Sequence, residues 1–211
     1  MKTLVFASNN AHKLDEIRAI LDGAYEIKGL KDIGCEADIP ETGSTFADNA
    51  LQKAMYVKEH YGMDCFADDS GLQVEALGGE PGVYSARYAT MHGVNANGDK
   101  DSANIDVLLD RLSHVEPVEI AQGPMAGQKA WKACFSTCVA LLWEGQRHFF
   151  NGRVDGYIIS QRRGEGGFGY DPVFVPEGYG ETFSQLGAEV KNGMSHRAKA
   201  VAELVKFLNK Q

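Results

Sequence analysis

Apolar positions along the chain recur with two periods. Leu4 to Ser8 is a short apolar run of strand length, and His12 to Asp22 follows with Leu14, Ile17, Ile20 and Leu21 at helical spacing. The chain therefore opens as strand, polar turn, helix. A second helix is predicted from Thr45, which has capping-box spacing to Asp48; Phe46, Ala50, Leu51, Ala54 and Val57 form its apolar face, and Lys53 projects from it. Asp64 to Ala67 then reads as a short strand that delivers Asp68 and Asp69 at its C-terminal end, where open α/β sheets place ligands. Gly78, Gly79, Pro81 and Gly82 mark a turn-rich loop, and Met91 to Ser102 is a polar loop ahead of a helix bearing Ile105, Leu108, Leu109 and Leu112. His114 to Lys132 holds two prolines and no clean period, and reads as a long connection. Ala133 to Trp143 alternates as a strand, Arg147 to Ile159 as a hairpin partner turning near Asn151-Gly152, and Tyr170 to Val175 as another short strand. A last helix is predicted from Ser195, its N-cap, through Val201, Leu204, Val205 and Leu208. Strands interleaved with helices make this an α/β pattern.

Composition narrows the setting. With 211 residues and 44% hydrophobic content, the chain can bury a sizeable core as one domain, or a domain with a lobe, over 1–211. It contains no long apolar span. The opening MKTLVFASNN reads as a first strand and is too weak for a signal peptide, so a cytoplasmic protein without a membrane segment is expected. Cys35, Cys65, Cys134 and Cys138 lack CxxC spacing and are expected as reduced, buried thiols. A net charge of −8 argues against a nucleic-acid partner, but it leaves room for a small polyanion met by local cations or backbone N–H groups.

Four polar constellations carry candidate chemistry. Ser8-Asn9-Asn10-Ala11-His12-Lys13 lies between a strand and a helix, where N–H groups at a helix start can hold phosphate and Lys13 adds a point charge; it is not a Walker A loop. Glu41 sits in a loop before the helix of Lys53 and can join Asp69 on a hard divalent cation. In Ala-Asp-Asp-Ser-Gly, two adjacent carboxylates after an apolar lead-in disturb each other's protonation. A helix or turn cap needs only one of them, so the pair Asp68 and Asp69, beside Ser70, asks for a metal or a general base. Finally, Phe168 lies between glycines, placed to stack on a base, while Lys191, His196 and Arg197 bring donors near a helix start.

Taken together and in order, these segments resemble the inosine triphosphate pyrophosphatase family, the Ham1-like house-cleaning nucleoside triphosphate pyrophosphatases. SNNAHK, ETGSTF, ADDSGL, LGGEPGVYSARY, GGFGYDPVF and MSHRAKA carry the resemblance across nearly the whole chain. It implies an elongated two-lobed α/β fold with a mixed, strongly twisted sheet flanked by helices and a central substrate cleft, acting as a homodimer. It also implies magnesium-dependent hydrolysis of ITP, dITP and XTP to the monophosphate and pyrophosphate, with manganese as a substitute.

By the same resemblance, Ser8 to Lys13 matches the triphosphate loop, Lys53 a phosphate-contacting lysine, and Glu41 and Asp69 the metal carboxylates. Asp69 also matches the proton acceptor, assisted by Asp68, and Ser70 a neighbouring substrate contact. Phe168, Gly169, Tyr170 and Asp171 match the base-binding segment, Lys191 a base-side or phosphate-side lysine, and His196 and Arg197 the closing recognition pair. The connection from His114 to Lys132 looks longer than the family pattern needs. A pyrophosphatase for other modified nucleotides, or a nucleotide sensor without turnover, is the alternative reading. The intact acids argue against a sensor, which gains little from groups that activate water.

Overall fold

The computed structural model describes residues 2–21 and 25–210 and gives them a mixed α/β fold. In chain order its elements are β1 (Lys2–Phe6), α1 (Ala11–Ile20), β2 (Tyr25–Lys28), α2 (Phe46–Tyr61), β3 (Cys65–Val74), α3 (Tyr88–Met91) and α4 (Lys100–Ser113), followed by β4 (Val118–Glu119), β5 (Lys129–Trp143), β6 (Gln146–Ile158), β7 (Phe174–Pro176), α5 (Phe183–Met194) and α6 (His196–Leu208). Neighbouring strands follow the order β2-β1-β3-β5-β6-β7, with β4 beside β5. β1 is parallel to β2 and β3, whereas β4 to β5 and β6 to β7 are antiparallel, so the sheet is mixed. Among the described residues no helix is long and apolar enough to cross a membrane.

The first and second helices form where the periodicity predicts them, and the predicted helix end at Asp22 lies outside the described residues; the first strand runs Lys2–Phe6, so it starts and ends two residues before the predicted Leu4 to Ser8. Thr45 caps α2 by accepting from the Asp48 N–H at 3.1 Å. Its hydroxyl donates to the Asp48 carboxylate at 2.7 Å, so the reciprocal half of a capping box is not made.

Several boundaries differ from expectation. β3 does not stop at Ala67 but continues through both aspartates to Val74, because the acids find buried partners on each side of the strand. The hairpin joining β5 and β6 turns at Glu144-Gly145, whose φ values of 48° and 80° give the twist that two-residue hairpins require. Asn151-Gly152 lies inside β6 instead. A Cβ on Gly152 would sit 1.9 Å from the His196 carbonyl oxygen and 2.8 Å from the Ala200 nitrogen, so glycine is there to let α6 lie against the strand.

The connection from His114 to Lys132 is partly ordered as a small hairpin, with Val118 opposite Ala130 and Glu119 opposite Lys129. β5 therefore starts earlier than Ala133, stabilised by buried Ala130 and by the Trp131 indole, which donates to the Val115 carbonyl at 2.9 Å. Tyr170 to Val173 is turn rather than strand. α5 was not legible; Ser195 ends it, with its N–H on the Lys191 carbonyl at 2.8 Å, and in extended conformation immediately precedes α6, the position predicted for it.

The chain forms two compact units. The first comprises Met1–Ser70, Thr137–Gly152 and His196–Gln211. Leu4–Phe6 of β1, Cys65–Ala67 of β3 and Val139–Trp143 of β5 are buried on both faces, which is why they read as unbroken apolar runs. Leu4, Phe6, Phe66, Val139 and Leu141 pack with Ile17 of α1 and with Ala200, Val201 and Leu204 of α6. The alternate residues Val5, Ala7, Cys65, Ala67 and Leu142 pack with Ala54 and Val57 of α2. The second unit comprises Gly71–Ser136 and Arg153–Ser195. Its core gathers Leu72, Val74, Leu108, Leu112, Phe135, Phe174 and Phe183, with Phe135 and Phe174 edge to face at 4.8 Å.

Candidate active site

The pleat of β3 explains the acid pair. Successive side chains of a strand point to opposite faces. Phe66 faces α1 and α6 and Ala67 faces α2, so Asp68 falls on the first side and Asp69 on the second. The adjacent carboxylates thus do not share one site, as two charges side by side would; each has its own environment.

Asp68 is fully buried and accepts from Lys13 Nζ at 3.0 Å and from Arg197 Nε at 3.0 Å. Arg197, also buried, pairs with Glu16 of α1 through Nη1 and donates to Ser70 Oγ at 3.1 Å through Nη2. Ser70 is two residues along β3 from Asp68 and returns to the same face. Burial alone would raise the Asp68 pKa, but the charges of Lys13, Arg197 and Lys53 overcome it and hold the carboxyl well below its ordinary range. Burial pulls the Lys13 ammonium downward, partly offset by Asp68. The two cations and two anions of Lys13, Arg197, Asp68 and Glu16 balance.

Asp69 faces the buried side of α2, where Asn49 and Lys53 lie one turn apart. Asn49 Nδ2 donates to Asp69 Oδ2 at 2.9 Å, and the other end of that amide is fixed because its Oδ1 accepts from the Gly43 N–H at 2.7 Å. Asp69 Oδ1 accepts from the Ser70 N–H at 2.9 Å, and Thr137 Oγ1 of β5 donates to the Asp69 carbonyl at 3.0 Å. Lys53 pairs with Glu41. Burial raises the Asp69 pKa; Lys53 and Lys13 oppose that rise, and the Glu41 charge adds to it. On this side Asp69 and Glu41 lie near the Lys53 ammonium, which pairs with Glu41 and lies close enough to act on Asp69. Cys138 is no nucleophile here, since burial and the two aspartates push its thiol up to about 11.

The donor set fits magnesium. Among the described residues no three His, Cys, Asp or Glu side chains gather as a metal-binding group. Glu41 and Asp69 would supply the two hard oxygen ligands, as is usual for an ion that keeps waters and takes phosphate oxygens from its substrate.

The Ser8–Lys13 segment is a built turn. Asn10 caps α1 by accepting from the Lys13 N–H at 3.1 Å, Ser8 Oγ accepts from the Asn10 N–H at 3.2 Å, and Asn9 Nδ2 donates to the Ala37 carbonyl at 3.2 Å. Ala11 and His12 are exposed at the helix start, where N–H groups lack intrahelical acceptors.

In the second unit, Phe168 is half-buried, with the Lys191 ammonium 4.2 Å from its ring centroid. Asp171, also buried, accepts from Lys191 Nζ at 2.7 Å and from the Phe168 N–H at 3.0 Å. The Gly169 N–H donates to Asp101 Oδ2 at 2.6 Å, and the Tyr170 hydroxyl to the Ser85 carbonyl at 2.9 Å. His196 is buried at the start of α6 in the first unit.

The sequence thus placed Lys13, Lys53, Glu41, Asp68, Asp69, Ser70 and Arg197 among candidates that the first unit gathers around β3, and Phe168 to Asp171 with Lys191 among those gathered in the second. Arg197, expected as a base donor, commits its guanidinium to Asp68, Glu16 and Ser70. Glu16, Asn49, Thr137 and Asp101 were missed. Glu16 lies three residues from Lys13 on one helix, and Asn49 interrupts the apolar face of α2 one turn before Lys53. For Asn49 and Thr137 a polar residue at a buried-face position was the available signal; exposed Asp101 offered none.

A strand that splits an acid pair between a carboxylate held by two cations and one held by an amide beside a lysine is suited to a hydrolase for phosphorylated anions. The chain belongs to the Ham1 family, whose model matches residues 4–207. It is 52% identical over 208 residues to the dITP/XTP pyrophosphatase of Porphyromonas gingivalis, a match covering 99% of this chain and 98% of that one. Among solved structures, a HAM1 protein from Coxiella burnetii aligns with a TM-score of 0.83 at 32% identity, covering 100% of each chain. The Ham1 protein of Staphylococcus aureus aligns at 0.78 and 36%, covering 99% of each.

Proposed function

We propose that this chain hydrolyses the non-canonical purine triphosphates dITP, ITP and XTP to the monophosphate and pyrophosphate. The observation that carries the reading is the division of labour at β3, found in a chain so similar to a dITP/XTP pyrophosphatase. Water attacks the α-phosphorus, a new P–O bond forms, and the bond to the bridging oxygen breaks as pyrophosphate leaves. Asp69, oriented by the Asn49 amide and the Ser70 N–H, accepts the proton from that water. Asp68 stays ionised and holds Lys13 and Arg197 in place. Lys53, Lys13 and the start of α1 receive the phosphates. Magnesium, bound by Glu41 and Asp69, would neutralise charge on the phosphate oxygens.

The Phe168 loop receives the purine by stacking, which tolerates any base, while Lys191 beside the ring favours a 6-oxo over a 6-amino group. A cytoplasmic homodimer completes the proposal. Exposed Tyr84, Met91 and Val94 are the kind of apolar side chains a subunit contact covers, and light scattering after gel filtration tests it. The deciding assay incubates the protein with magnesium and dITP, ITP, XTP, ATP and GTP and measures pyrophosphate. Release from the first three well above the last two is expected. Binding without any product would favour a sensor instead.

A further inference from the structure

The peptide unit between Phe168 and Gly169 is held at both ends. Its carbonyl accepts from the Asp171 N–H at 3.3 Å, inside the loop. Its N–H donates to Asp101 Oδ2 at 2.6 Å, on the first turn of α4 and 68 residues away in sequence. The preceding peptide is held as well, since the Phe168 N–H donates to Asp171 Oδ2 at 3.0 Å, so both planes flanking Phe168 are fixed and with them the direction in which its Cβ leaves the backbone. The same glycine-rich segment is tied to α4 a second time, since Arg162 Nη2 donates to the Ser102 carbonyl at 3.0 Å and to Asp106 Oδ1 at 2.8 Å.

We propose that Asp101 is a positioning residue for base recognition: by accepting from the Gly169 N–H it seats Phe168. The proposal rests on the reading that the Phe168 loop receives the purine. Asp101 is exposed, so its loss frees the loop without opening the core. Phe168 then spends only part of its time in the binding-competent direction, and apparent affinity falls by that fraction while the chemistry at β3 proceeds as before.

A carboxylate in the first turn of a helix also interacts favourably with the helix dipole, and the choice of variants separates the two roles. Asp101→Asn keeps an acceptor oxygen and loses the charge; Asp101→Ala loses both. Asp101→Ala should raise KM for ITP and XTP roughly 3- to 10-fold at unchanged kcat, the range expected for one lost hydrogen bond. Asp101→Asn should stay within about twofold of wild type. Amide exchange at Gly169, followed by NMR without nucleotide, should quicken in the Ala variant and not in the Asn variant.

Equal KM changes in both variants would assign Asp101 to helix electrostatics and overturn the proposal. Faster Gly169 exchange with no change in KM would also overturn it, because the anchor would then position nothing. Wild-type protein that releases no pyrophosphate would sink the functional reading and base positioning with it, while the Gly169 comparison would still decide whether the anchor exists.

Discussion

Replacing each aspartate of the pair by asparagine should give opposite results. Asp68→Asn removes the charge that pairs with both Lys13 and Arg197, all three being largely or wholly buried. Arg197 keeps Glu16, but Lys13 is left facing a neutral amide. Breaking a buried pair from one side costs roughly 3–5 kcal/mol. For a chain of this size that lowers Tm by on the order of 6–20 °C. Asp69→Asn removes a charge that burial already disfavours, and Lys53 retains Glu41. Its cost is local: the new amide nitrogen faces Asn49 Nδ2, which cannot turn away because Gly43 holds the other end of that amide. One mismatched bond against the relief of a buried charge leaves stability within about 1 kcal/mol of wild type. Activity should fall by at least about a hundredfold, the usual worth of a general base. Differential scanning fluorimetry with chelator present, paired with pyrophosphate release with magnesium, reads both quantities. An Asp69→Asn protein destabilised as much as Asp68→Asn, or one that stays active, would refute the assignment.

The same carboxylates set the pH dependence of the metal-free protein. The Asp68 pKa is depressed in the fold, so its stabilisation is present above the ordinary carboxylate value and is lost as pH falls through the folded value; Tm of wild type, but not of Asp68→Asn, should drop there. The Asp69 pKa is raised, so stability is lost as pH rises from the ordinary value through the folded one, a loss that Asp69→Asn should remove. Chelator should abolish turnover and magnesium or manganese restore it, and Glu41→Gln should need more magnesium while also lowering Tm, because buried Lys53 loses its ion-pair partner; full turnover in excess chelator would rule out the metal. Gly152→Ala, whose Cβ would lie 1.9 Å from the His196 carbonyl, should cost about 1–3 kcal/mol by overpacking and reduce activity by displacing the start of α6, where Arg197 sits. A Gly152→Ala Tm equal to wild type would show that α6 adjusts freely.

Periodicity determined much of this protein, because a helix or strand declares itself through neighbours a few residues away. The Thr45 start of α2, the apolar stripe around Lys53, the polar turn at Ser8–Lys13 and the helical spacing of Val201, Leu204 and Leu208 are local facts, and the fold kept them. The candidate acids were legible for the same reason, as charges in an apolar run. Tertiary structure decided what each one meets. Whether Asp68 and Asp69 share a face depends on whether the strand continues past Ala67, and that is settled by Arg197, 129 residues away, and by Asn49 on another helix. Gly152 looked like a turn because its reason, the approach of α6, lies in a distant segment. Asp101 fell within the stretch read as a polar loop, and nothing singled it out because its partner is a backbone N–H on another loop, which carries no mark in the amino-acid sequence.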